Sequence, residues 1–263
     1  MRRLQHFHKK NILTGLLILV FGWSLFSVQW RADLFHSGGQ STFLQILLGL
    51  IQPDLSTDIL QLAIVSSWRT LTYAVAGMSL ALIVAFVVGI LASGILTKGK
   101  TQRTAIVGFF RGLLGFMRAI HELVWAWLFV AAVGLSPFAA VFAIAIPYGG
   151  ILGRIFADML NDVPAAPINA LKACGSSRWQ LLMYGYIPHA AADMLSYTMY
   201  RFECAIRSSA IMSFVGLGGL GYQIQLSLED LKYDEVWTFM FFLLGMVIVV
   251  DLWSQQLRKR LVA

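Results

Sequence analysis

Several charged and hydroxyl side chains lie together in one apolar stretch of the chain. Tyr200, Arg201, Glu203, Arg207 and Ser208 all fall within this stretch. A charge at the centre of a bilayer costs about 2.5–3.5 kcal/mol, so three charges this close together need partners or water. Glu203 and Arg207 are four residues apart and share a helix face, where they can form an ion pair. Two interpretations stay open: a structural ion pair between helices, and a water-filled pathway lined by this face.

Arg207 is the member of this group best suited to binding an anion. It follows Pro188 by 19 residues, which is about 28 Å along a helix that rises 1.5 Å per residue. This distance places Arg207 toward the outer end of a span that begins near Pro188. A guanidinium group presents its donors in a rigid fork that matches planar, multi-oxygen anions. Glu122, near the start of another apolar stretch, is either a second pathway residue or the partner of an arginine on another helix.

The composition excludes an ordinary soluble protein. Of the 263 residues, 58% are hydrophobic and 13% are charged, and the mean hydropathy is +0.73, whereas soluble domains have roughly 45–50% apolar and about 25% charged residues. The sequence therefore predicts an all-α, polytopic membrane protein. The net charge of +7 is better explained by basic cytoplasmic loops than by binding to nucleic acid. Cys174 and Cys204 have neither metal-ligand nor disulfide spacing, and we expect no metal, no cofactor and no catalytic nucleophile in this chain.

The apolar stretches predict about six transmembrane helices. They lie at about residues 11–30, 70–96, 119–135, 138–155, 189–215 and 236–253. We expect residues 1–56 to form an N-terminal transmembrane helix followed by a periplasmic interfacial segment, in which Phe43–Ile51 is too short to span the bilayer. Residues 57–263 are expected to form the core.

The basic residues predict the orientation of these spans. The N-terminus, the C-terminus and the regions 97–118 and 154–178 hold 15 of the 20 Lys and Arg residues, whereas the outer loops hold Arg31 and Lys232. Because Lys and Arg accumulate in cytoplasmic loops, both termini should lie in the cytoplasm.

The segment Asn169–Pro188 lies on the same predicted side. It is amphipathic at helical spacing, is interrupted at Gly175, and restarts after Ser176 and Ser177. This pattern predicts a short helix, a glycine break and a second helix that begins on a serine cap. From these features alone, the segment could be an interfacial linker between spans.

A resemblance gives this segment a function. Ala170, Gly175, Arg178-Trp179 and Ile187-Pro188 resemble the signature cytoplasmic loop of permease subunits from binding-protein-dependent ABC importers; Asn169 stands where that family usually has Glu. The resemblance implies a coupling helix at about residues 167–182 that docks onto an ATPase subunit. The implied contact residues are Asn169, Ala170, Lys172, Ala173, Gly175, Ser176, Arg178 and Trp179.

Further motifs narrow the resemblance. The segments Arg118–Glu122, Val133–Phe138, Tyr200–Glu203, Ile206–Ser209 and Val215–Gly221 are together similar to the permease subunit of phosphonate-type ABC importers. This resemblance implies the type I ABC importer permease fold in a bacterial inner membrane. It also implies transport of phosphonates, phosphite, hypophosphite or phosphate esters. The glycines at positions 216, 218 and 221 fit the dinucleotide pattern G-x-G-x-x-G, but after a span we expect them to form a tight turn.

The resemblance also implies partners. They are a second copy of the chain, two ATP-binding subunits and a periplasmic phosphonate- or phosphite-binding protein. ATP and Mg would bind to the ATPase subunits, and we expect this chain to carry no Walker sequence G-x-x-x-x-G-K-[ST]. The pathway residues would be Tyr200, Arg201, Glu203, Arg207, Ser208 and Glu122. The alternatives are a permease for another small solute such as an amino acid, and a membrane channel or scaffold that needs no ATPase.

Overall fold

The structure is a computed structural model that describes residues 2–27 and 39–262, and every regular element in these ranges is helical. The all-α prediction is therefore confirmed. The α-helices are α1 (Arg2–Ser27), α2 (Gly39–Ile51), α3 (Thr57–Ser93), α4 (Lys100–Ala119), α5 (Glu122–Val133), α6 (Pro137–Asn161), α7 (Ala165–Ala173), α8 (Arg178–Gln180), α9 (Ile187–Met212), α10 (Leu220–Glu229) and α11 (Tyr233–Val262). A π-helical segment, Leu181–Tyr186, joins α8 to α9, and a 3-10 turn, Ser213–Val215, follows α9.

The chain divides into two compact units, residues 1–47 and 48–263. The first unit contains α1 and most of α2. The short apolar stretch predicted at Phe43–Ile51 is helical, as the C-terminal part of α2. Arg31, which the charge count assigned to an outer loop, lies outside the described residues.

Length and composition identify three to five helical spans in the described chain. α3, α6 and Tyr233–Lys259 of α11 each qualify alone, and two bent pairs qualify if each is one broken span. The bends are 86° between α4 and α5, and 44° between Arg178–Val215 and α10. The described apolar part of α1, Asn11–Ser27, counts only as a shorter apolar helix, so fewer than the six expected spans qualify among the described residues. Residues 28–30 of the first expected span lie outside them.

The third predicted span, residues 119–135, falls on α5, which passes the length and composition test for a span only as a bent pair with α4. The structure breaks the helix at its start, because Ile120 (φ −97°, ψ 128°) and His121 (φ −63°, ψ 144°) have non-helical backbone. α4 precedes this break, and its Leu114 is fully buried against α6.

Small residues bring the core helices close together. A Cβ atom on Gly77 of α3 would lie 2.7 Å from Ile144 of α6, and one on Gly150 of α6 would lie 3.0 Å from the Leu114 carbonyl oxygen of α4. Such close approach is typical of helices packed within membranes. α6 continues as one helix through Pro147.

The predicted glycine turn is confirmed between α9 and α10. Gly216, Gly218 and Gly219 have φ values of 90°, 77° and 107°, which glycine adopts without a steric cost. α3 fixes the turn in place, because Thr70 Oγ1 accepts a hydrogen bond from the Leu220 amide at 3.0 Å. The flanking elements are helical, so the context that a dinucleotide site requires is lacking around this turn.

Candidate functional site

One side of the C-terminal half of α9 is exposed, and the exposure continues into the 3-10 turn that follows. Tyr200, Arg207 and Ile211 of α9 and Phe214 of the turn lie on this side, at spacings of seven, four and three residues. The residues around Arg207, such as Ser208, are buried. We call these four residues the exposed stripe of α9.

The ion pair that the spacing of Glu203 and Arg207 allows does not form. Glu203 Oε1 instead accepts a hydrogen bond at 2.8 Å from Arg258 Nη2 of α11, and its side chain is only 11% exposed. Among the described residues, the polar contact of Arg207 is a long one from Nη2 to Cys204 Sγ at 3.6 Å. Glu203 thus forms an ion pair between helices, but its partner is Arg258 of α11 rather than Arg207 of α9.

A chain of hydrogen bonds joins three helices near the break between α4 and α5. Ser208 Oγ of α9 donates to Glu122 Oε1 of α5 at 2.6 Å. Tyr148 Oη of α6 lies 2.9 Å from Ser208 Oγ. A serine hydroxyl has one proton, and Ser208 donates it to Glu122, so the tyrosine is the donor in the second bond. Glu122 lies in the first turn of α5, where a negative charge is favoured by the helix dipole.

Arg201 is held by aromatic side chains of its own helix. Its Nε and Nη2 donate to Tyr197 Oη at 2.9 and 2.7 Å. The guanidinium carbon also lies 5.1 Å from the ring centre of Tyr197 and 5.5 Å from that of Tyr200, within the range of cation–π attraction. These contacts stabilise a cation inside a spanning helix without a carboxylate.

The predicted pathway residues thus occupy two different environments. Tyr200 and Arg207 lie on the exposed stripe, whereas Glu122, Ser208 and Glu203 make contacts between helices. Sequence reasoning missed two partners of this group, Tyr148 and Arg258. They are 60 and 55 residues from the residues they contact, so no local spacing could have indicated them.

The segment predicted to contain the coupling helix has the predicted local structure. α7 ends in a turn in which the amides of Gly175 and Ser176 donate to the carbonyls of Lys172 and Leu171 at 3.0 and 3.3 Å. Gly175 has a φ of 78°, as this type of helix end requires. Ser177 then caps α8 in a reciprocal capping box with Gln180.

In this segment α7 packs against the π-helical segment, while several large apolar side chains remain exposed. Ile168 is buried, and its side chain would contact a Cβ at Gly185 at 2.8 Å, so α7 lies directly against the π-helical segment. Trp179, Met183 and Tyr184 are exposed by 60%, 48% and 73%. An exposed aromatic cluster of this kind is typical of a protein-binding surface.

Comparison with known proteins identifies the family. Residues 94–263 match the family described as binding-protein-dependent transport system inner membrane component. The chain belongs to this family. It is a multi-pass component of the inner membrane that serves in transport, as its apolar helices indicate.

The permease resembles curated permeases of phosphorus transport systems. It is 32% identical over 190 residues to the phosphite transport system permease protein PtxC of Stutzerimonas stutzeri, covering 72% of this chain and 68% of that protein. It is 29% identical over 258 residues to HtxC of the same organism, also described as a phosphite transport permease, covering 98% and 87%. The phosphate-import permease protein PhnE of Mycolicibacterium smegmatis is 29% identical over 224 residues, or 84% of this chain and 40% of that one.

Solved structures show the fold of the permease. A chain of the MetNI methionine ABC transporter in an inward-facing conformation superimposes with a TM-score of 0.69 at 16% identity, over 79% of this chain and 99% of that one. A chain of an amino acid ABC transporter crystallised with histidines gives 0.65 at 17% identity, over 76% and 94%. The predicted type I ABC importer permease fold is confirmed.

One expectation about the permease sequence was wrong. The segment Gly94–Thr101, which runs from the end of α3 into the first turn of α4, has the sequence GILTKGKT. This sequence matches the Walker pattern G-x-x-x-x-G-K-[ST]. That pattern marks a nucleotide-binding site where it joins a strand to a helix. Here it joins α3 to α4, so the fold around it is not that of an ATPase.

Proposed function

We propose that this permease forms the membrane channel of an ABC importer for phosphonates, phosphite or related phosphorus oxyanions. The names of its relatives support this substrate class, since they include phosphite, phosphate-import and phosphonate permeases. The resemblance in the motifs between Arg118 and Gly221 supports it independently.

The observation that carries the proposal is the exposed position of Arg207 on a spanning helix. Charged side chains within membranes face a helix bundle or water rather than lipid. The partners that would neutralise Arg207 are lacking in the described chain, where its contact is a sulfur atom. The exposed stripe of α9 therefore lines an aqueous path, and Arg207 supplies a forked donor for an oxyanion passing through it.

Two copies of the permease would enclose this path. With two-fold symmetry, each copy contributes Tyr200 and Arg207 from its exposed stripe. Glu122, Glu203 and Ser208 position α9, because their hydrogen bonds join it to its neighbours. Arg201 is held within α9 by Tyr197 and Tyr200.

Partner ATPase subunits would drive the alternation between outward- and inward-facing states. These subunits bind ATP and Mg. They dock on the predicted coupling helix at about residues 167–182, which we call the coupling segment. Its contact residues are Asn169, Ala170, Lys172, Ala173, Gly175, Ser176, Arg178 and Trp179. α8, the π-helical segment and α9 follow one another without a loop, so displacement of the coupling segment moves the exposed stripe directly. On this proposal both termini are cytoplasmic and a periplasmic binding protein delivers the substrate.

The proposal is tested with the permease reconstituted together with its ATPase and binding protein. ATP hydrolysis is measured with the binding protein empty, or loaded with methylphosphonate or with phosphite. We expect stimulation by the loaded protein. Arg207→Ala should reduce stimulated transport by about tenfold or more, because a hydrogen bond to a charged group contributes about 1.5–3 kcal/mol.

Two variants serve as controls. Ile211→Ala removes an uncharged side chain from the same stripe and should retain most transport, and Arg207→Lys should retain part of it because the charge remains. If Arg207→Ala and Ile211→Ala transported equally well, Arg207 would not be a pathway residue. If a binding protein loaded with an amino acid stimulated hydrolysis instead, the substrate class would be wrong although the importer assignment would stand.

A further inference from the structure

A basic cavity lies between the ends of three helices. Its volume is about 490 Å³, and its lining includes Lys100, Arg103 and Arg111 of α4 together with Ser93 of α3 and Asn161 of α6. Three cationic side chains therefore face one space that is large enough for a small anion.

The positive charge of this cavity is only partly balanced. Asp158 accepts from Arg111 Nη2 and from Arg154 Nε, both at 2.9 Å, so one carboxylate serves two guanidinium groups. In the part of the chain that the structure describes, Lys100 and Arg103 form no ion pair. An anion bound in the cavity would supply the missing counter-charge.

The segment beside the cavity, Gly94–Thr101, contains the kinds of donor group that bind phosphate in other proteins. It runs from the end of α3 into the first turn of α4, which begins at Lys100. Gly99 at the start of α4 provides no side-chain cap, so the first amides of the helix have no side-chain acceptor. Helix amides and a neighbouring lysine form the donor set that holds phosphate oxygens in glycine-rich loops. Here the cavity adds Arg103, whose Cγ and Nε lie close to Gly94.

We propose that this cavity binds a phosphate group, carried either by an anionic phospholipid headgroup or by free inorganic phosphate. Lys100 and Arg103 contact the phosphate oxygens, and Arg111 is held at the wall of the cavity by Asp158. The basic residues of this region assign it to the cytoplasmic surface, where both kinds of phosphate are present. Basic pockets between spanning helices at that surface bind lipid headgroups.

The full-length permease is purified with its co-expressed partners, and two probes are used. Native mass spectrometry measures phosphatidylglycerol retained after extraction from vesicles of phosphatidylglycerol and phosphatidylcholine, and calorimetric titration measures binding of inorganic phosphate. Whichever of the two probes the wild type binds, the double variant K100Q/R103Q should bind it at least about tenfold more weakly, because each basic side chain near a headgroup contributes about 1 kcal/mol.

Two further variants distinguish binding inside the cavity from general attraction of anions to a basic surface. Gly108→Leu keeps every charge and places a side chain in the cavity, where a Cβ at this position meets no atom within 4 Å; it should also lose binding. K232Q/K259Q removes the same charge from exposed residues outside the cavity and should bind as the wild type does. If Gly108→Leu bound normally, or if K232Q/K259Q lost as much as K100Q/R103Q, the proposal would be overturned.

The two probes also identify the source of the phosphate. Saturable retention of phosphatidylglycerol without binding of inorganic phosphate would identify a lipid site. Binding of inorganic phosphate by itself would identify a site for the free anion. Binding of neither probe would contradict the proposal, and transport activity enters none of these readouts.

Discussion

Single residues in this permease owe their roles to partners on other helices. Glu122 and Glu203 are both acidic residues in apolar surroundings, yet one accepts from a serine and the other from an arginine. Both carboxylates are thereby used in holding helices together. Arg207 differs from them because its side chain is exposed. For this reason Arg207 is a candidate for the pathway, whereas Glu203 belongs to a structural ion pair.

Ser208→Ala should destabilise the protein. The change removes the donor to Glu122 and the acceptor for Tyr148, so a largely buried carboxylate loses its hydrogen bond at a cost of about 1–3 kcal/mol. Thermal unfolding of the purified permease measures the effect. The control is Ser79→Ala, where an exposed hydroxyl donates to Val75 of its own helix. Equal melting temperatures for the two variants would show that the three-helix link contributes little.

Pairs of helices are positioned by glycines where side chains would not fit. At Gly150 the backbones of α4 and α6 approach so closely that a Cβ atom would lie 2.8 Å from Met117 Cβ. This approach fixes the end of α4 and therefore the break that carries Glu122.

Gly150→Ala should separate α4 from α6 and destabilise the protein by about 1–3 kcal/mol, as overpacking does. Gly112→Ala lies in the same helix pair but meets no atom within 4 Å. It should be neutral or stabilising by up to about 1 kcal/mol, because alanine favours a helix. Size-exclusion profiles after stepwise heating compare the two. Similar profiles for the two variants would mean that the contact between α4 and α6 accommodates an added methyl group.

The turn between α7 and α8 depends on backbone conformation rather than on space. A side chain on Gly175 would meet no atom within 4 Å, but the φ of 78° is unfavourable for most residues. Gly175→Val should therefore disrupt the end of α7 and reduce both ATPase co-purification and stimulated hydrolysis several-fold.

Gly175→Asn is the matched control for this effect. Asparagine tolerates the left-handed conformation, so its variant should retain most of the coupling. If the valine variant retained the ATPase and its stimulation, the coupling function would have to be assigned to another segment.

The fold and the local structure were predictable from sequence to different degrees. The helix end at Gly175, the cap at Ser177 and the turn at Gly216 were predicted because each depends on residues within one or two turns. The break before His121 was missed, since neither proline nor glycine marks it. The partners of Glu122 and Glu203 could not be predicted because hydrophobic periodicity says which face is buried, not which helix covers it.

At the scale of the whole molecule, the assembly contains either two copies of this permease or two different permease chains. We predict that two copies of this chain assemble, so that a copy with one affinity tag should recover a second copy with a different tag. The alternative is a pair of unlike permeases, since HtxC and HtxE of Stutzerimonas stutzeri are both described as phosphite transport permeases. Recovery of a different permease in place of the second tag would establish that alternative.

The contact between Glu203 and Arg258 has a consequence for synthesis of the protein. Arg258 follows Glu203 by 55 residues, so at elongation rates of about 5–20 residues per second Glu203 is made roughly 3–11 seconds before its partner. During that interval Glu203 lacks the arginine with which it pairs in the folded protein. Stable insertion of α9 should therefore wait for α11, which makes these two helices a single unit in membrane biogenesis.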